Sequence, residues 1–321
     1  MSDPINHHFV PKCYLNEYSL DGNLYCLDIK LLFERKKIHI GKKNSSQICY
    51  LPNFYIIKDL EFYNFDGYEE LFLESKAFKK LEDNYRLIIN NLFRNKAISR
   101  IEGNMISDFI LNLKIRNPIF LKISESNKVR NIQTVMDELY QDIAKKDESK
   151  HIDNDLIKFL INNSGKNLST SDKYIKSIQI KQLIDKTDSE SQSIIKFRES
   201  ILNCKWFVLD SFNCGFTFFT SDNPGVAVSS IGKIENTKFK GGFEYYFPIN
   251  YRYCLYFSDK ILDNYYNAGI EENKSIEFLA INEIELNFIN SLLMVYIDKY
   301  LISGKEIDIR NFAENIKKYL N

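Results

Sequence analysis

Five side chains in this sequence have types and positions that could do chemistry together: His7, His8, Glu82, Arg116 and Asp222. Imidazole and carboxylate groups can hold a divalent metal or act as base and acid in a proton transfer, and a guanidinium can clamp an anionic substrate. We therefore expect His7, His8, Glu82 and Asp222 as catalytic groups, with Asp222 and Glu82 also as ligands of a divalent metal such as Mg or Mn. Arg116, Ser221 and Asn223 are expected to bind substrate. Metal-assisted hydrolysis of a phosphodiester suits these residue types, which points to a nuclease-like hydrolase acting on nucleic acid or nucleotides, in an antiviral defence or toxin role. Without metal, the same set would suit cleavage of an N-glycosidic bond in a nucleotide. A third reading is non-enzymatic: a sensor or interaction protein in which the His and Asp motifs pin segments together and Arg116 satisfies Glu82. The readings differ in geometry. The enzymatic ones need a polar cavity with room for water or an ion between the groups, and the third needs a direct His–Asp hydrogen bond and no pocket between them.

Each group depends on an element to position it. His7 and His8 lie just ahead of an alternating strand, Leu24–Asp28, and in an extended chain adjacent side chains point to different sides, so one of the two faces any given site. Asp222 ends an apolar stretch, residues 216–220, that reads as a strand running into the turn Ser221-Asp222-Asn223-Pro224. Asn213-Cys214-Gly215 would turn that strand back against residues 206–210 as a hairpin. Glu82 interrupts a helical stripe of Leu71, Phe78, Leu81, Tyr85, Ile88 and Leu92, so its carboxylate should lie at the edge of a buried face. Ser99-Arg100-Ile101-Glu102 is a capping box that opens a second helix through Met105, Phe109 and Leu113 to Arg116. Asn112 and Arg116 continue its apolar stripe and need partners.

The remaining chain supplies a third helix over residues 129–146, a variable helical insert or lid over 150–192, and a helix over 193–202. Aromatic strands follow at Phe243–Pro248 and 253–257, then a long helix over about 275–300 carrying Leu279, Leu286, Ile289 and Leu293, and a last helix over 307–320. The expected fold class is α+β, one domain over 1–321. A mostly antiparallel sheet from the N-terminal strands and the 206–257 region packs against a helical middle region and C-terminal helices.

Two motifs carry a resemblance. His7-His8-Phe9-Val10-Pro11-Lys12-Cys13-Tyr14-Leu15, with Tyr18 after it, and Phe218-Phe219-Thr220-Ser221-Asp222-Asn223-Pro224, followed by Tyr246-Phe247-Pro248-Ile249, resemble the uncharacterised bacterial family DUF4238. The likeness runs over nearly the whole chain with the motifs in the same order. It implies no activity, because the family has none established. The family usually continues Thr-Ser-Asp-x-Pro with Val, whereas Gly225 precedes Val226 here, which predicts a more flexible loop.

Composition bounds the rest. With 321 residues and 44% hydrophobic content, the chain can bury a large core. Lys plus Arg and Asp plus Glu both total 43, so no global basic field marks it for duplex nucleic acid or an anionic membrane. Single strands and nucleotides stay open as partners, as does a homo-oligomer. The six cysteines are scattered without Cys-x-x-Cys spacing and read as reduced, mostly buried thiols. Neither a leader-like apolar segment nor a bilayer-length apolar run is visible, so the expected setting is cytoplasmic, away from membranes.

Overall fold

Two polar boxes start two of the principal helices in the computed structural model, which describes residues 6–58, 60, 65–123, 172–185, 192–237, 239, 241–262 and 273–320. In chain order its first half holds β1 (Asn6–His8), α1 (Lys12–Asn16), β2 (Leu24–Asp28), α2 (Ile29–Arg35), β3 (Ile40–Lys43), β4 (Tyr50–Pro52), α3 (Lys79–Asn95), β5 (Ala97–Ile98) and α4 (Arg100–Arg116). Next come α5 (Asp172–Asp185), α6 (Gln192–Leu202), β6 (Cys204–Asp210), β7 (Thr220–Ser221), β8 (Val226–Ser229), β9 (Ile234–Glu235), β10 (Phe243–Pro248) and β11 (Tyr253–Leu262). The chain ends with β12 (Lys274–Ser275), β13 (Glu277–Ala280), α7 (Glu283–Leu293), β14 (Tyr300–Ser303) and α8 (Glu306–Leu320). The fold is α+β, as the sequence predicts.

The Ser99 hydroxyl accepts from the Glu102 N–H, and Glu102 reaches back to the Ser99 N–H at 2.8 Å, closing the box that opens α4. Asn282 and Glu285 close the same kind of box at the start of α7. That second signal was in the sequence, and it overrides the long helix expected over 275–300. The stretch is instead two short strands, an 11-residue helix, a 3₁₀ turn and β14. Leu286, Ile289 and Leu293 are the buried stripe of the true helix, whereas Leu279 lies on β13.

The single expected sheet is divided. Six strands in the order β13-β6-β11-β10-β8-β9 form the larger sheet, antiparallel except for the β13–β6 pair, and β3-β2-β14-β7 form a smaller antiparallel sheet. One face of the larger sheet, with Trp206, Val208, Tyr245 and Phe247, shares a core with Tyr14 of α1 and with Tyr85, Leu92, Phe109 and Leu113 of α3 and α4. Its other face packs Leu209 and Cys254 on Leu286 and Ile289 of α7. Leu27 and Leu301 of the smaller sheet pack with Leu32 of α2 and Ile309 and Phe312 of α8.

The expected hairpin over 206–221 does not form. The partners of β6 are β11 and β13, and only Thr220–Ser221 of the apolar stretch enters a ladder, against β14. Residues 217–219 find substitute partners. The Phe218 N–H donates to the Tyr251 carbonyl at 2.9 Å, the Phe219 N–H donates to Asn290 Oδ1 at 2.9 Å, and Asn290 Nδ2 donates to the Thr217 carbonyl at 3.0 Å. One buried amide side chain thus does the work of a neighbouring strand.

All six cysteines are free, and four of them are buried. Among the described residues, no helix is long and apolar enough to cross a membrane. The expected third helix over 129–146 lies outside the described residues, as does most of the 150–192 insert, whose described part is α5 and the first residue of α6.

Candidate functional site

The last turn of α4 is where the two sequence motifs meet. Asn112, Leu113, Lys114, Ile115 and Arg116 are buried in succession, so the helix is enclosed on every side there and each polar group needs a partner. Arg116 is 2% exposed. Its Nη1 donates to Glu82 of α3 at 2.9 Å, its Nε donates to the Phe9 carbonyl at 3.2 Å, and its Nη2 donates to the His8 carbonyl. The guanidinium also lies 4.4 Å over the Phe78 ring. The pairing of Arg116 with Glu82 across the helix hairpin is therefore direct, and it also holds the N-terminal strand.

His7 and His8 are both buried in β1, which pairs with β4. His7 Nδ1 accepts from the Tyr55 N–H at 2.7 Å, and its ring stacks on Tyr55 at 5.6 Å. The Tyr55 hydroxyl in turn donates to the Arg116 carbonyl at 2.5 Å. The His8 ring tilts against Tyr50 at 5.5 Å. Among the described residues, Nε2 of both histidines is buried without a hydrogen-bond partner. Burial and the Lys176 charge lower the pKa of His7, and burial with the Lys12 and Arg116 charges brings His8 down to about 4, so both rings are neutral at pH 7.

Asp222 is 3% exposed, and both of its oxygens are engaged. Oδ1 accepts from the Asp298 N–H at 3.0 Å, and Oδ2 accepts from the N–H groups of Lys299 at 2.6 Å and Tyr300 at 2.8 Å. Burial pushes this carboxyl up to about 6, against the pull of the three amides toward the charged form. The Asp222 carbonyl accepts from Asn117 Nδ2 at 2.6 Å. Ser221 accepts the Asn223 N–H at 3.1 Å, which closes the turn. Asn223 donates to Asn236 and to the Tyr296 carbonyl. The expected catalytic and binding set is thus gathered around the end of α4 in two groups. Arg116 holds Glu82 and the His8 backbone, and Asn117 with Lys114 holds the Ser221-Asp222-Asn223 turn.

Two residues there escaped the sequence reading. Lys114 is 1% exposed, and its Nζ donates to Asn223 Oδ1 at 3.1 Å, the Gly225 carbonyl at 2.6 Å and Asn236 Oδ1 at 3.0 Å. Burial pulls its pKa well below the ordinary lysine range, while three oxygen acceptors match the three hydrogens of an ammonium. Glu74 sits in a π-helical turn, Leu73–Phe78, ahead of α3. Burial pushes its carboxyl to about 7, opposed by the Arg116 charge, reinforced by the Glu82 charge and opposed by Lys12. Its Oε1 is buried and unpartnered among the described residues. Lys114 carries no spacing signal, because a helix enclosed on all sides has no polar face to depart from.

The motifs also touch directly. The Tyr14 hydroxyl of the N-terminal motif lies 2.8 Å from Thr220 Oγ1 and donates to the Pro248 carbonyl at 2.7 Å. Gly225, read as a source of flexibility, is a packing requirement. Its φ is +81°, and a Cβ there would collide with the Tyr245 hydroxyl.

A cavity of about 500 Å³ opens beside this cluster, between the π-helical turn and α3 on one side and α4, α5 and α6 on the other. None of His7, His8, Glu82, Arg116 and Asp222 lines it. Its walls include Phe72, Leu81, Met105, Leu111, Leu183 and Ile194, and Asn112 reaches it from the last turns of α4. Arg198 Nε and Nη2 donate to the two Asp108 oxygens at 2.9 and 2.6 Å in its wall. Among the described residues no three His, Cys, Asp or Glu side chains come together as a metal-holding group.

No curated protein and no solved structure matches the chain. A family model, described as a protein of unknown function (DUF4238), matches residues 6–306, taking in both motifs and the α4 turn that joins them. The chain therefore belongs to the DUF4238 family.

Proposed function

We propose that this protein is a non-enzymatic binding module, a sensor or interaction protein whose ligand site is the cavity bounded by α3, α4, α5 and α6. The observation that carries this reading is the state of the expected catalytic groups. Both oxygens of Asp222 are filled by the amides of residues 298–300, and every nitrogen of the Arg116 guanidinium donates to Glu82 or to backbone. Groups so engaged serve as scaffolding, and a substrate would have to displace several buried hydrogen bonds to use them. The cavity, by contrast, has the size and mostly apolar lining of a small-ligand site.

A hydrolase acting on nucleic acid or nucleotides is the second reading. Glu74 favours it: a carboxyl that burial pushes up to about 7, with one oxygen buried and unpartnered among the described residues and within the field of the Arg116 charge, is the type of group that moves protons. One pair of measurements separates the two. The purified chain should leave tRNA, single-stranded DNA and ATP intact in the presence of Mg²⁺ or Mn²⁺, and Met105→Trp, which fills the cavity, should abolish uptake of a small apolar dye. Turnover that vanishes in Glu74→Gln at an unchanged melting temperature would establish the hydrolase instead.

A further inference from the structure

We propose that the cavity takes a small amphipathic anion: an aromatic or aliphatic body carrying one carboxylate, sulfonate or phosphate. This rests on the binding-module reading and names the ligand chemistry of that site. Three observations lead to it.

The first is charge. Among the described residues, Lys76, Lys80 and Arg198 line the cavity against one acid, Asp108. Arg198 and Asp108 neutralise each other in a two-point pair, which leaves the two lysines. They stand four residues apart, on successive turns at the junction of the π-helical turn and α3, and so share a face. Among the described residues Lys76 is held only by an exposed pair with Glu69, both side chains more than half exposed, and such pairs are weak and readily exchanged. Lys80 has no ion-pair partner among the described residues. An incoming anion would meet two ammonium groups with little to displace.

The second is the apolar body. Phe72, Leu81, Met105, Leu111, Leu183 and Ile194 form the walls, and Ile101, 72% exposed, stands at the lining as an apolar side chain in contact with water. Covering that surface with hydrocarbon or ring atoms is favourable in proportion to the area removed from water.

The third is a missing partner. Asn104 also lines the cavity, and its Oδ1 is buried without a hydrogen-bond partner among the described residues. A buried amide oxygen left unpaired is costly, so a hydroxyl or amine hydrogen on the ligand body would be held there.

The probe that combines these features is 8-anilinonaphthalene-1-sulfonate, which carries an aromatic body, an N–H and a sulfonate. N-phenyl-1-naphthylamine has the same body and N–H without the charge. Both would be titrated by fluorescence against the full chain, its Lys76→Glu/Lys80→Glu double variant, and the cavity-filling variants Met105→Trp and Ile101→Trp. The lysines and Ile101 are surface-reaching, so these variants keep the fold testable even where Met105→Trp does not fold.

The expected result is saturable binding of both dyes that the filling variants abolish. The double charge reversal should weaken the sulfonate dye at least tenfold and leave the neutral dye within twofold. Equal binding of the two dyes, unmoved by charge reversal, overturns the anion assignment while the cavity remains a binding site. Binding that persists in both filling variants overturns the cavity reading as well. Displacement of the bound sulfonate dye by decanoate assigns an acyl carboxylate as ligand, and displacement by AMP assigns a nucleotide phosphate. Displacement by neither at millimolar concentration overturns the assignment.

Discussion

Removing the carboxylate of Asp222 would leave the amides of Asp298, Lys299 and Tyr300 without acceptors in a buried position. Each orphaned buried donor costs on the order of 1 to 3 kcal/mol. Asp222→Ala should therefore lose about 3 kcal/mol or more in urea unfolding, and a loss below about 1 kcal/mol would show that water or a shifted loop replaces the carboxylate. Gly225 makes a different kind of demand. Its +81° φ and the Tyr245 hydroxyl beside the missing Cβ mean that Gly225→Ala adds backbone strain and overlap together. We expect about 2 to 4 kcal/mol of destabilisation, and recovery of part of it in Gly225→Ala/Tyr245→Phe, which removes the obstructing oxygen. An unchanged melting temperature in Gly225→Ala would mean that the turn relaxes without cost. The two predictions share one stretch of chain and separate its polar task from its steric one.

At the scale of the element, α4 has one end that chain chemistry explains and one that only packing does. Its start is a capping box, so Ser99→Ala should cost about 1 kcal/mol, the ordinary value of a lost N-cap. Its last turn holds Arg116 against Glu82, Phe9 and His8, and removing one partner of a buried ion pair costs about 3 to 5 kcal/mol. Arg116→Met should therefore destabilise several times more than Ser99→Ala in the same denaturant series. Equal losses at the two ends would contradict the clasp at the α4 terminus. The same contrast explains which features were legible. The Ser99 box follows from i+3 spacing, and the i+3 and i+4 stripes of α3 and α4 mark Glu82 and Arg116 as groups in need of partners although the two meet across 34 residues, whereas Lys114 carries no such mark and has its partners 109, 111 and 122 residues away.

Across the whole molecule, four buried groups pull the pH dependence in opposite directions. His8 has its folded pKa depressed from 6.5 to about 4, so between those values the unfolded chain takes up a proton that the folded chain refuses. Its contribution is present above pH 6.5 and is lost as the pH falls toward 4, and His7 acts with the same sign. Glu74 is raised from 4.5 to about 7, and Asp222 from 3.8 to about 6, so the folded chain keeps protons that the unfolded chain releases. Their contributions are present at low pH and are lost as the pH rises through those folded values. The windows overlap between about pH 4.5 and 6.5. For His8 or Glu74 alone the full swing is on the order of 3 kcal/mol. Wild-type melting temperature should therefore change little across that window. Glu74→Gln should tilt the curve so that acid destabilises, and His8→Gln should tilt it the other way. Parallel curves for all three proteins would show that these groups titrate alike in the folded and unfolded chains.

By itself the sequence determined the α+β class, the helix that opens at Ser99, the strands Leu24–Asp28 and Phe243–Pro248, and the need for a partner at Arg116, because caps, periodicity and buried charge act over a few residues. Only the tertiary structure decided that residues 217–219 take Asn290 in place of a strand, that Asp222 spends its oxygens on residues 298–300, and that the cavity lies apart from the residues that looked catalytic. Those outcomes depend on which distant backbone groups arrive unpaired at the same place. A carboxylate written in a turn has no preference between a metal, a substrate and an orphaned amide until the fold brings one of them to it.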